Sequence, residues 1–304
     1  MSLKVVFLGT SGSMPTQSRA SSSTVVKRKG ELIMFDCGEG TQRRMVEAKL
    51  GFRRSMKIFV SHLHGDHVLG IPGLLQTMTL LDRERRLDMF GPKGIIKYVK
   101  AFTETLGGPS FPLHIHEVES PGIIYESEEY MVKAIQADHD LTAFSYVLEE
   151  KLIPGRFHPD KALELEVPGG PLWKRLQSGN DVTLTDGRIV KWEKIVDPPR
   201  KGLKIAYSGD TRPNRIFAEA SSGADLLVHE ATFDNELSER AAEKGHTTAG
   251  QAAEIAVQAS AKKLVLTHIS SRYPDAEILI EQAREIFSET VLAYDLLEIE
   301  VFRE

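Results

Sequence analysis

Cysteine is nearly absent from this chain, since Cys37 is the only one in 304 residues. No internal disulfide can form, which excludes a disulfide-stabilised scaffold and fits a reducing compartment. Long apolar runs are also missing, because none approaches the roughly 18 residues that a membrane helix needs. The N-terminus lacks the charged leader and the cleavage pattern of a signal peptide. We therefore expect a cytoplasmic protein without a membrane partner.

An excess of positive charge is absent as well, because the formal net charge is −5. The overall composition therefore gives no sign of nucleic-acid binding, although a local basic patch stays open. Hydrophobic residues make up 41% of the chain and charged residues 27%. This balance suits one large or two small globular domains with a substantial core, and no obligate protein partner is evident.

Strand-like and helical patterns alternate along most of the chain. The predicted strands are Leu3–Leu8, Ser23–Lys27, Leu32–Phe35, Lys57–Val60, Leu87–Phe90, Tyr130–Ala137, Phe144–Glu149, Ile205–Ser208, Leu226–His229, Lys263–Thr267 and Glu298–Phe302. The predicted helices are Thr41–Leu50, Ile71–Leu81, Gly94–Thr105, Arg212–Ser221, Thr247–Ala259 and Asp275–Phe287. Strands that first form a meander and then alternate with helices indicate two mixed sheets with helices on the outside.

One stretch breaks this rhythm, from about Pro154 to Pro199. It is rich in proline and glycine. A helix-compatible run at Pro159–Leu165 and a turn at Thr185–Arg188 lie within it. Loops of this length are uncommon inside a domain and are usually functional. We interpret residues 151–199 as an inserted flexible arm within a single domain of residues 1–304. A surface excursion without function is the alternative.

The six residues His62-Leu-His-Gly-Asp-His67 hold four side chains that can bind a metal, and they follow the apolar run Lys57–Val60. Imidazole nitrogen and carboxylate oxygen suit borderline metals such as zinc. Four ligands exceed what one catalytic zinc normally takes, because such a site leaves a position open for water. The cluster therefore indicates a two-metal site.

Three further residues that can bind a metal stand at the ends of predicted strands. His139, Asp210 and His268 each follow an apolar strand directly or within two residues. We therefore expect them to meet the first cluster at one edge of the sandwich. His114 and His116 alternate with apolar residues and indicate a polar strand face.

The motif order HLHGDH, a distant His, SGDT and THIS resembles the metallo-β-lactamase fold. The stretches Phe35–Gln42, His229–Thr232 and His246–Thr248, with the proline- and glycine-rich insertion, make the chain similar to ribonuclease Z, the tRNA 3′-processing endonuclease family. The resemblance implies an α/β (α+β) chain folded as a four-layer αβ/βα sandwich, with two mixed sheets, outer helices and a protruding arm. It also implies the substrate, precursor tRNA, from which the 3′ trailer is removed to leave a 3′ hydroxyl.

By the same resemblance, two Zn²⁺ ions per chain are expected. One would be bound by His62, His64 and His139. The other would be bound by Asp66, His67 and His268. Asp210 would bridge them.

Three catalytic roles follow from the resemblance. Asp66 would orient or deprotonate the attacking water, besides binding metal. His246 would protonate the leaving 3′ oxygen, with Glu230 holding its ring. The alternative for His246 is a neighbour of a helix N-cap, since Thr247 or Thr248 can cap the helix that follows.

Substrate contacts are expected from the arm, because in the family that the chain resembles this arm binds the tRNA elbow. Lys161, Lys174 and Arg175 are the candidate phosphate contacts there, and Arg272 is a candidate after the last metal-site motif. Acidic residues dilute the arm's charge, so a solvated polar loop is the alternative. Family members form homodimers in which one subunit's arm serves the other's site, and we expect the same here.

One loop departs from the family pattern PxKxRN. The chain has Pro15-Thr-Gln-Ser-Arg-Ala20, with Gln17 in place of Lys and Ala20 in place of Asn. Discrimination of CCA-bearing precursors is linked to this loop in the family, so it is open for this chain. The competing functions are a phosphodiesterase or another small-ester hydrolase of the same fold, and a noncatalytic RNA-binding module.

Overall fold

The described residues, 2–303 of a computed structural model, form two separate units. The first, which we call the body, comprises the residues up to Glu149 and from Leu203 onward. The second, which we call the insertion unit, is Glu150–Gly202. No helix among the described residues is long and apolar enough to cross a membrane.

Seven strands form the first sheet of the body. They are β1 (Ser2–Gly9), β3 (Ser23–Arg28), β4 (Glu31–Phe35), β5 (Met56–Phe59), β6 (Leu87–Pro92), β7 (Leu113–Val118) and β18 (Glu298–Phe302). Their spatial order is β18-β1-β3-β4-β5-β6-β7. The pairs from β18 to β4 are antiparallel and those from β4 to β7 are parallel, so the sheet is mixed.

Seven strands form the second sheet of the body as well. They are β8 (Gly122–Glu126), β9 (Tyr130–Gln136), β10 (Phe144–Glu150), β13 (Lys204–Tyr207), β14 (Leu226–Glu230), β15 (Leu264–Thr267) and β17 (Thr290–Leu292). Their spatial order is β17-β15-β14-β13-β10-β9-β8. Two short strands, β2 (Ser11–Gly12) and β16 (Ile269–Ser270), pair in parallel beside the strand ends.

The layers follow from the period of two along each strand. In β1, Leu3, Val5 and Phe7 belong to a core that includes residues of both sheets, such as Phe144. Val6 of the same strand belongs to a second core with the helices outside the first sheet. A third core joins the second sheet to its own outer helices. The four-layer α/β sandwich expected from the sequence is therefore confirmed.

Helices cover the outer faces of both sheets. On the first sheet they are α1 (Thr41–Glu47), α2 (Gly65–Val68), α3 (Ile71–Leu80) and α4 (Ile95–Leu106). On the second sheet they are α7 (Arg215–Ala220), α9 (Ala249–Gln258) and α10 (Glu277–Ile286), whereas the short α8 (Ser238–Glu243) has no residue in that core. Short 3-10 turns stand at Trp192–Lys194 and Asn235–Leu237.

The N-termini of two helices show whether the capping residues follow from the local sequence. Thr248 caps α9 through a capping box with Gln251, as the sequence allowed. Neither Glu39 nor Thr41 caps α1, because the N-cap is Gly40, in the left-handed region at φ 85°. The hydroxyl of Thr41 instead donates to the carbonyl of Gly38, at 2.8 Å. The strands β2, β8, β16 and β17 of the body are additional to those predicted; β8 and β17 are short edge strands.

The insertion unit is not structureless. It contains α5 (Pro159–Glu164), α6 (Pro171–Gln177) and the hairpin of β11 (Val182–Thr183) and β12 (Ile189–Val190). The helix at residue 159 and the turn near residue 185 were predicted. The unit has a small core of its own, in which Leu176 and Ile195 are fully buried. Trp173 packs against this core and its indole donates to the carbonyl of Val167, at 3.0 Å.

Candidate metal centre

Polar side chains gather at the strand ends of the body. The loop His62–His67 follows β5 and runs into α2. His139 follows β9, Asp210 follows β13 and His268 follows β15. The carboxyl ends of neighbouring parallel strands meet at one edge of a sheet, where open α/β folds place their ligands. All seven candidate ligands predicted from the sequence are brought together here.

The first ligand group is formed by His62, His64, His139 and Asp210, whose potential ligand atoms all lie within 4.8 Å of one another. Nε2 of His62 lies 3.0 Å from Nδ1 of His64. Nε2 of His139 lies 3.3 Å from the same Nδ1 atom. Oδ2 of Asp210 lies 3.6 Å from Nε2 of His62.

The second ligand group is formed by Asp66, His67 and His268. The two Nε2 atoms of His67 and His268 are 3.3 Å apart. Oδ2 of Asp66 lies 3.3 Å from Nε2 of His268 and 3.6 Å from Nε2 of His67. Oδ1 of Asp210 completes the group, at 3.3 Å from both nitrogens. Asp210 therefore presents one oxygen to each group.

Hydrogen bonds to Nδ1 orient four of the imidazoles. Nδ1 of His67 lies 2.7 Å from Oδ2 of Asp36, and Nδ1 of His139 lies 2.8 Å from the carbonyl of Gly245. Two hydroxyls do the same for the others. Ser61 Oγ lies 3.0 Å from Nδ1 of His62, and Thr232 Oγ1 lies 2.8 Å from Nδ1 of His268. A donor contact at Nδ1 leaves Nε2 free as a ligand, as metal-binding histidines require.

Asp36 is fully buried, and its carboxylate fixes the position of neighbouring groups in the site. Its carboxylate accepts hydrogen bonds from the backbone and hydroxyl of Ser61, at 2.6 and 2.8 Å, and from the hydroxyl of Tyr207, at 2.7 Å. Asp36 and His268 both have φ 58°, in the left-handed region that favours glycine. Backbone strain of this kind persists where the surroundings over-determine the conformation, as in binding sites.

The protonation states suit cation binding. Burial and neighbouring imidazoles hold the pKa of His62 well below its usual value, so its ring is neutral. Burial likewise lowers the pKa of His64. Burial opposes ionisation of Asp210, but the surrounding imidazoles outweigh it and keep the pKa of this carboxyl well below its usual range. For His67, burial lowers the pKa, yet Asp210 and Asp36 outweigh it and raise the pKa well above its ordinary value. The carboxylates that raise the pKa of His67 carry the negative charge that a bound cation would offset.

The donor set fits a pair of zinc ions. Zinc–nitrogen bonds of about 2.0–2.1 Å in tetrahedral geometry place two ligand nitrogens about 3.3 Å apart. The observed nitrogen separations are 3.0 to 3.3 Å in the two groups. Oδ1 of Asp210 is buried and has no hydrogen-bond donor among the described residues. A buried carboxylate oxygen without a donor is costly unless a cation meets it.

His246 lies beside the two groups. Its Nδ1 is 2.9 Å from Oε1 of Glu230, which is buried. Glu230 also accepts from the backbone of Thr211, at 3.0 Å, and from the hydroxyl of Thr232, at 2.7 Å. Burial disfavours the charged form of His246, but Glu230 outweighs it and raises the pKa of His246 to about 9. The ring is therefore protonated near neutral pH.

A cleft of about 420 Å³ opens over these residues. His64, Asp66, Asp210 and His246 line it, as does the predicted contact Arg272. The guanidinium of Arg272 lies 5.0 Å from the ring centre of Phe233 and is exposed. An anionic substrate can therefore approach the metal groups and His246 together.

The other predicted residues are not members of the ligand groups. Lys161 is on α5, and Lys174 and Arg175 are on α6; all three are exposed in the insertion unit. His114 and His116 stand on the exposed face of β7, which confirms the predicted polar strand face.

The remaining histidines are not ligands of either group. His158 pairs with Asp197 within the insertion unit, at 2.8 Å. His229 is buried in β14, and its Nδ1 lies 2.8 Å from the carbonyl of Glu230.

Some residues of the site were not predicted from the sequence. Thr232 links Glu230 to His268, although the motif His229–Thr232 assigned it no role. Gly12 has a close-approach role: a Cβ there would lie 2.8 Å from Nδ1 of His268. Arg240 and Lys244 line the cleft and carried no motif signal.

The loop that departs from the pattern PxKxRN is held in place by the arginine that it retains, Arg19. Arg19 is buried and donates to the hydroxyl of Thr10, at 2.8 Å, and to the carbonyl of Ala293, at 2.7 Å. The backbone of Ala20 donates to Asp295, at 2.7 Å. The arginine of the motif is therefore structural in this chain.

Known proteins share both the fold and the full length of this chain. Residues 32–269 match the family model of a beta-lactamase superfamily domain. Ribonuclease Z of Methanosarcina acetivorans is 45% identical over 301 residues, which cover 98% of both chains. Ribonuclease Z of Nitrosopumilus maritimus is 44% identical over 300 residues, which cover 98% of this chain and all of the relative (100%).

A solved structure agrees with these relatives. The crystal structure of the human tRNase Z short form matches with a TM-score of 0.73 at 28% identity, and covers 98% of this chain and 99% of that one. The strand-end cluster, the glutamate-held histidine and these full-length relatives together lead to one conclusion: the chain is an endoribonuclease that belongs to the ribonuclease Z family of the metallo-β-lactamase fold.

Proposed function

We propose that this protein is a zinc-dependent endoribonuclease that removes the 3′ trailer of precursor tRNA. It hydrolyses one phosphodiester and leaves a 3′ hydroxyl on the tRNA. The observation that carries the proposal is the pair of ligand groups that share Asp210, with His246 held beside them by Glu230. Full-length relatives named Ribonuclease Z support the substrate class.

The proposed ligands follow the two groups. His62, His64 and His139 would hold one zinc; Asp66, His67 and His268 would hold the other. Asp210 could serve both ions, because its two oxygens face different groups. Two bound ions would polarise the phosphate, offset its charge and lower the pKa of the attacking water.

His246 is the proposed proton donor. The P–O3′ bond breaks as water attacks phosphorus, and the 3′ oxygen needs a proton to leave. His246 lines the cleft, and its Nε2 makes no hydrogen bond among the described residues. With a pKa raised to about 9, the ring carries the proton at neutral pH. Glu230 holds Nδ1, so the ring presents Nε2 to the substrate.

Asp66 is proposed to orient or deprotonate the water from the opposite side. Its Oδ2 accepts a hydrogen bond from the backbone of Ser13, at 2.7 Å, which fixes the carboxylate at the cleft. Hydrogen bonds to His268 and the nearby imidazoles outweigh burial and hold the pKa of Asp66 below its usual range. The carboxylate is therefore ionised, which suits it to accept a hydrogen bond from the water and orient it.

Substrate binding is proposed for Arg272 in the cleft and for Lys161, Lys174 and Arg175 in the insertion unit. All four are exposed cations, and contacts to phosphate suit recognition of a structured RNA by its shape. The homodimer with exchange of arms and the cytoplasmic location remain predictions.

The decisive test uses a 3′-extended precursor tRNA, with and without a chelator, followed by sequencing of the new 3′ end. We expect a single cut near the end of the acceptor stem, with a 3′ hydroxyl, that disappears in chelator and returns with zinc. Hydrolysis of small phosphodiesters without any cleavage of the precursor would favour the small-ester hydrolase. Tight RNA binding without cleavage would favour the binding module.

A further inference from the structure

Two cations on one short helix segment line a cleft that is also lined by Asp66, Asp140 and Asp210. Arg240 lies in α8, and Lys244 is its C-cap residue. A spacing of four residues puts both on the same helix face. Both side chains are exposed and line the cleft together with His246. Neither is part of the ligand groups or of the motifs that the sequence displayed.

These cations are unengaged, unlike their neighbour Arg212. Arg212 is neutralised by Asp138, at 3.2 Å, and by Asp140, at 2.9 Å. Arg240 and Lys244 have no ion pair or side-chain hydrogen bond within residues 2–303. In a chain of net charge −5, free cations at the mouth of a cleft for an anionic substrate give it a local attraction that the whole chain lacks.

The helix that carries them is fastened to the catalytic residues. The carbonyl of Ala242 accepts from Nε of Arg212, at 2.6 Å. The carbonyl of Ala241 accepts from the backbone of His246, at 2.8 Å. Gly245, with φ 73°, presents its carbonyl to His139, and a Cβ there would lie 2.6 Å from Nδ1 of that ring. The backbone that carries the two cations is therefore held in a fixed place relative to His246.

We propose that Arg240 and Lys244 bind backbone phosphates of the tRNA acceptor end, on the 5′ side of the scissile bond. The inference rests on the proposed function. His246 gives its proton to the 3′ oxygen of the tRNA, so its wall of the cleft receives the acceptor end, whereas the attacking water and the trailer phosphate lie on the other side. The α8 helix precedes His246 on that same wall. Phosphate contacts there position the last tRNA nucleotide for cleavage.

The test measures binding of the cleaved tRNA, which has no trailer, to the metal-loaded protein. In the double variant Arg240→Gln/Lys244→Gln, Kd should rise about tenfold at low salt. The slope of log K against log salt should become shallower by about 1.4, since each single-strand phosphate contact contributes about 0.7. For precursors, the rise in KM should exceed any fall in kcat and should be equal for trailers of one and of about ten nucleotides.

The matched control is Lys97→Gln/Lys100→Gln on α4, which removes the same charge from exposed positions away from the cleft. This variant should bind the cleaved tRNA as the parent does. An unchanged Kd and salt slope in the α8 variant would overturn the inference, as would a KM penalty that grows with trailer length. If the parent protein cleaves precursor tRNA and the α8 variant matches the α4 control, the inference alone fails. If the parent neither binds nor cleaves tRNA, the proposed function fails first.

Discussion

The metal centre of the body and the insertion unit hold their polar groups in opposite ways. In the metal centre, the imidazoles are fixed by hydrogen bonds to buried partners such as Asp36 and Thr232. In the insertion unit, cations such as Lys174 and Arg175 point into solvent from a small scaffold with its own core. Preorganised buried groups suit chemistry, whereas exposed cations suit adaptable contact with phosphates. Chemistry and recognition are therefore expected to fail separately when each region is altered.

The largest effect is expected from removing a metal ligand. His64→Ala takes one nitrogen from the first group and should abolish cleavage of both precursor tRNA and a small phosphodiester, because water activation is lost for every substrate. Metal content, measured by mass spectrometry, should fall from about two ions per chain.

His114→Ala is the control for this experiment, since His114 is exposed on β7 and outside both groups. It should retain full metal content and activity. Full activity of the parent protein in excess chelator would contradict the two-zinc site.

The next effect concerns the proton donor. His246→Ala should slow the chemical step by about 10²–10⁴-fold, the usual range for general acid catalysis. Single-turnover rates should show the loss while tRNA affinity and metal content change little. In a substrate with sulfur at the 3′ bridging position, the sulfur leaves without a proton. This substrate should therefore recover much of the rate. Equal defects on the oxygen and sulfur substrates would show that His246 acts otherwise.

A smaller effect is expected from the partner of that histidine. Glu230→Gln keeps an acceptor for His246 but removes the charge that raises its pKa. The raised pKa keeps His246 protonated until the pH approaches about 9, so lowering it moves the loss of activity to lower pH. The alkaline limb of the pH–rate profile should shift downward, with about a tenfold loss at pH 8 and little loss at pH 6. An unshifted limb would separate Glu230 from the proton donor.

The smallest effect is expected from single charges of the insertion unit. Lys174→Gln/Arg175→Gln should raise KM for precursor tRNA by roughly fivefold and make the salt dependence shallower, because exposed phosphate contacts are individually weak. Arg188→Gln is a control that removes one charge from the same unit, since Arg188 is already paired with Glu166 and Asp186. Equal effects of both variants would point to general charge rather than to contacts on α6.

The two regions also differ in how much of their structure can be predicted from the sequence, and the metal centre is the more predictable one. Each candidate ligand follows an apolar strand, and strands of alternating pattern have few ways to assemble, so the convergence of seven side chains was predictable. The buried hydrogen bonds of Thr232 and Ser61 were not, because a hydroxyl takes its partner from the fold rather than from its neighbours in sequence.

The insertion unit was harder to predict. Proline and glycine pairs there indicated loops, yet buried residues such as Leu176 and Ile195 make a small core that no long periodic pattern announces. Arg240 and Lys244 were missed for a related reason. The helix that carries Arg240 and ends at Lys244 has six residues and one buried side chain, Ala241, so no long apolar pattern marks it in the sequence.

The most direct test of this division of labour deletes the insertion unit. Glu149 of β10 pairs with Lys204 of β13 in antiparallel register, so a short Asn-Gly turn can replace Glu150–Gly202. The measurement is kcat/KM of this variant on precursor tRNA and on bis(p-nitrophenyl) phosphate, with metal content determined in parallel. We predict about two bound ions per chain, small-ester hydrolysis near the parent value and a loss of about a hundredfold or more on precursor tRNA, through KM. Equal loss on both substrates with the metals still bound would contradict the separation of chemistry from recognition.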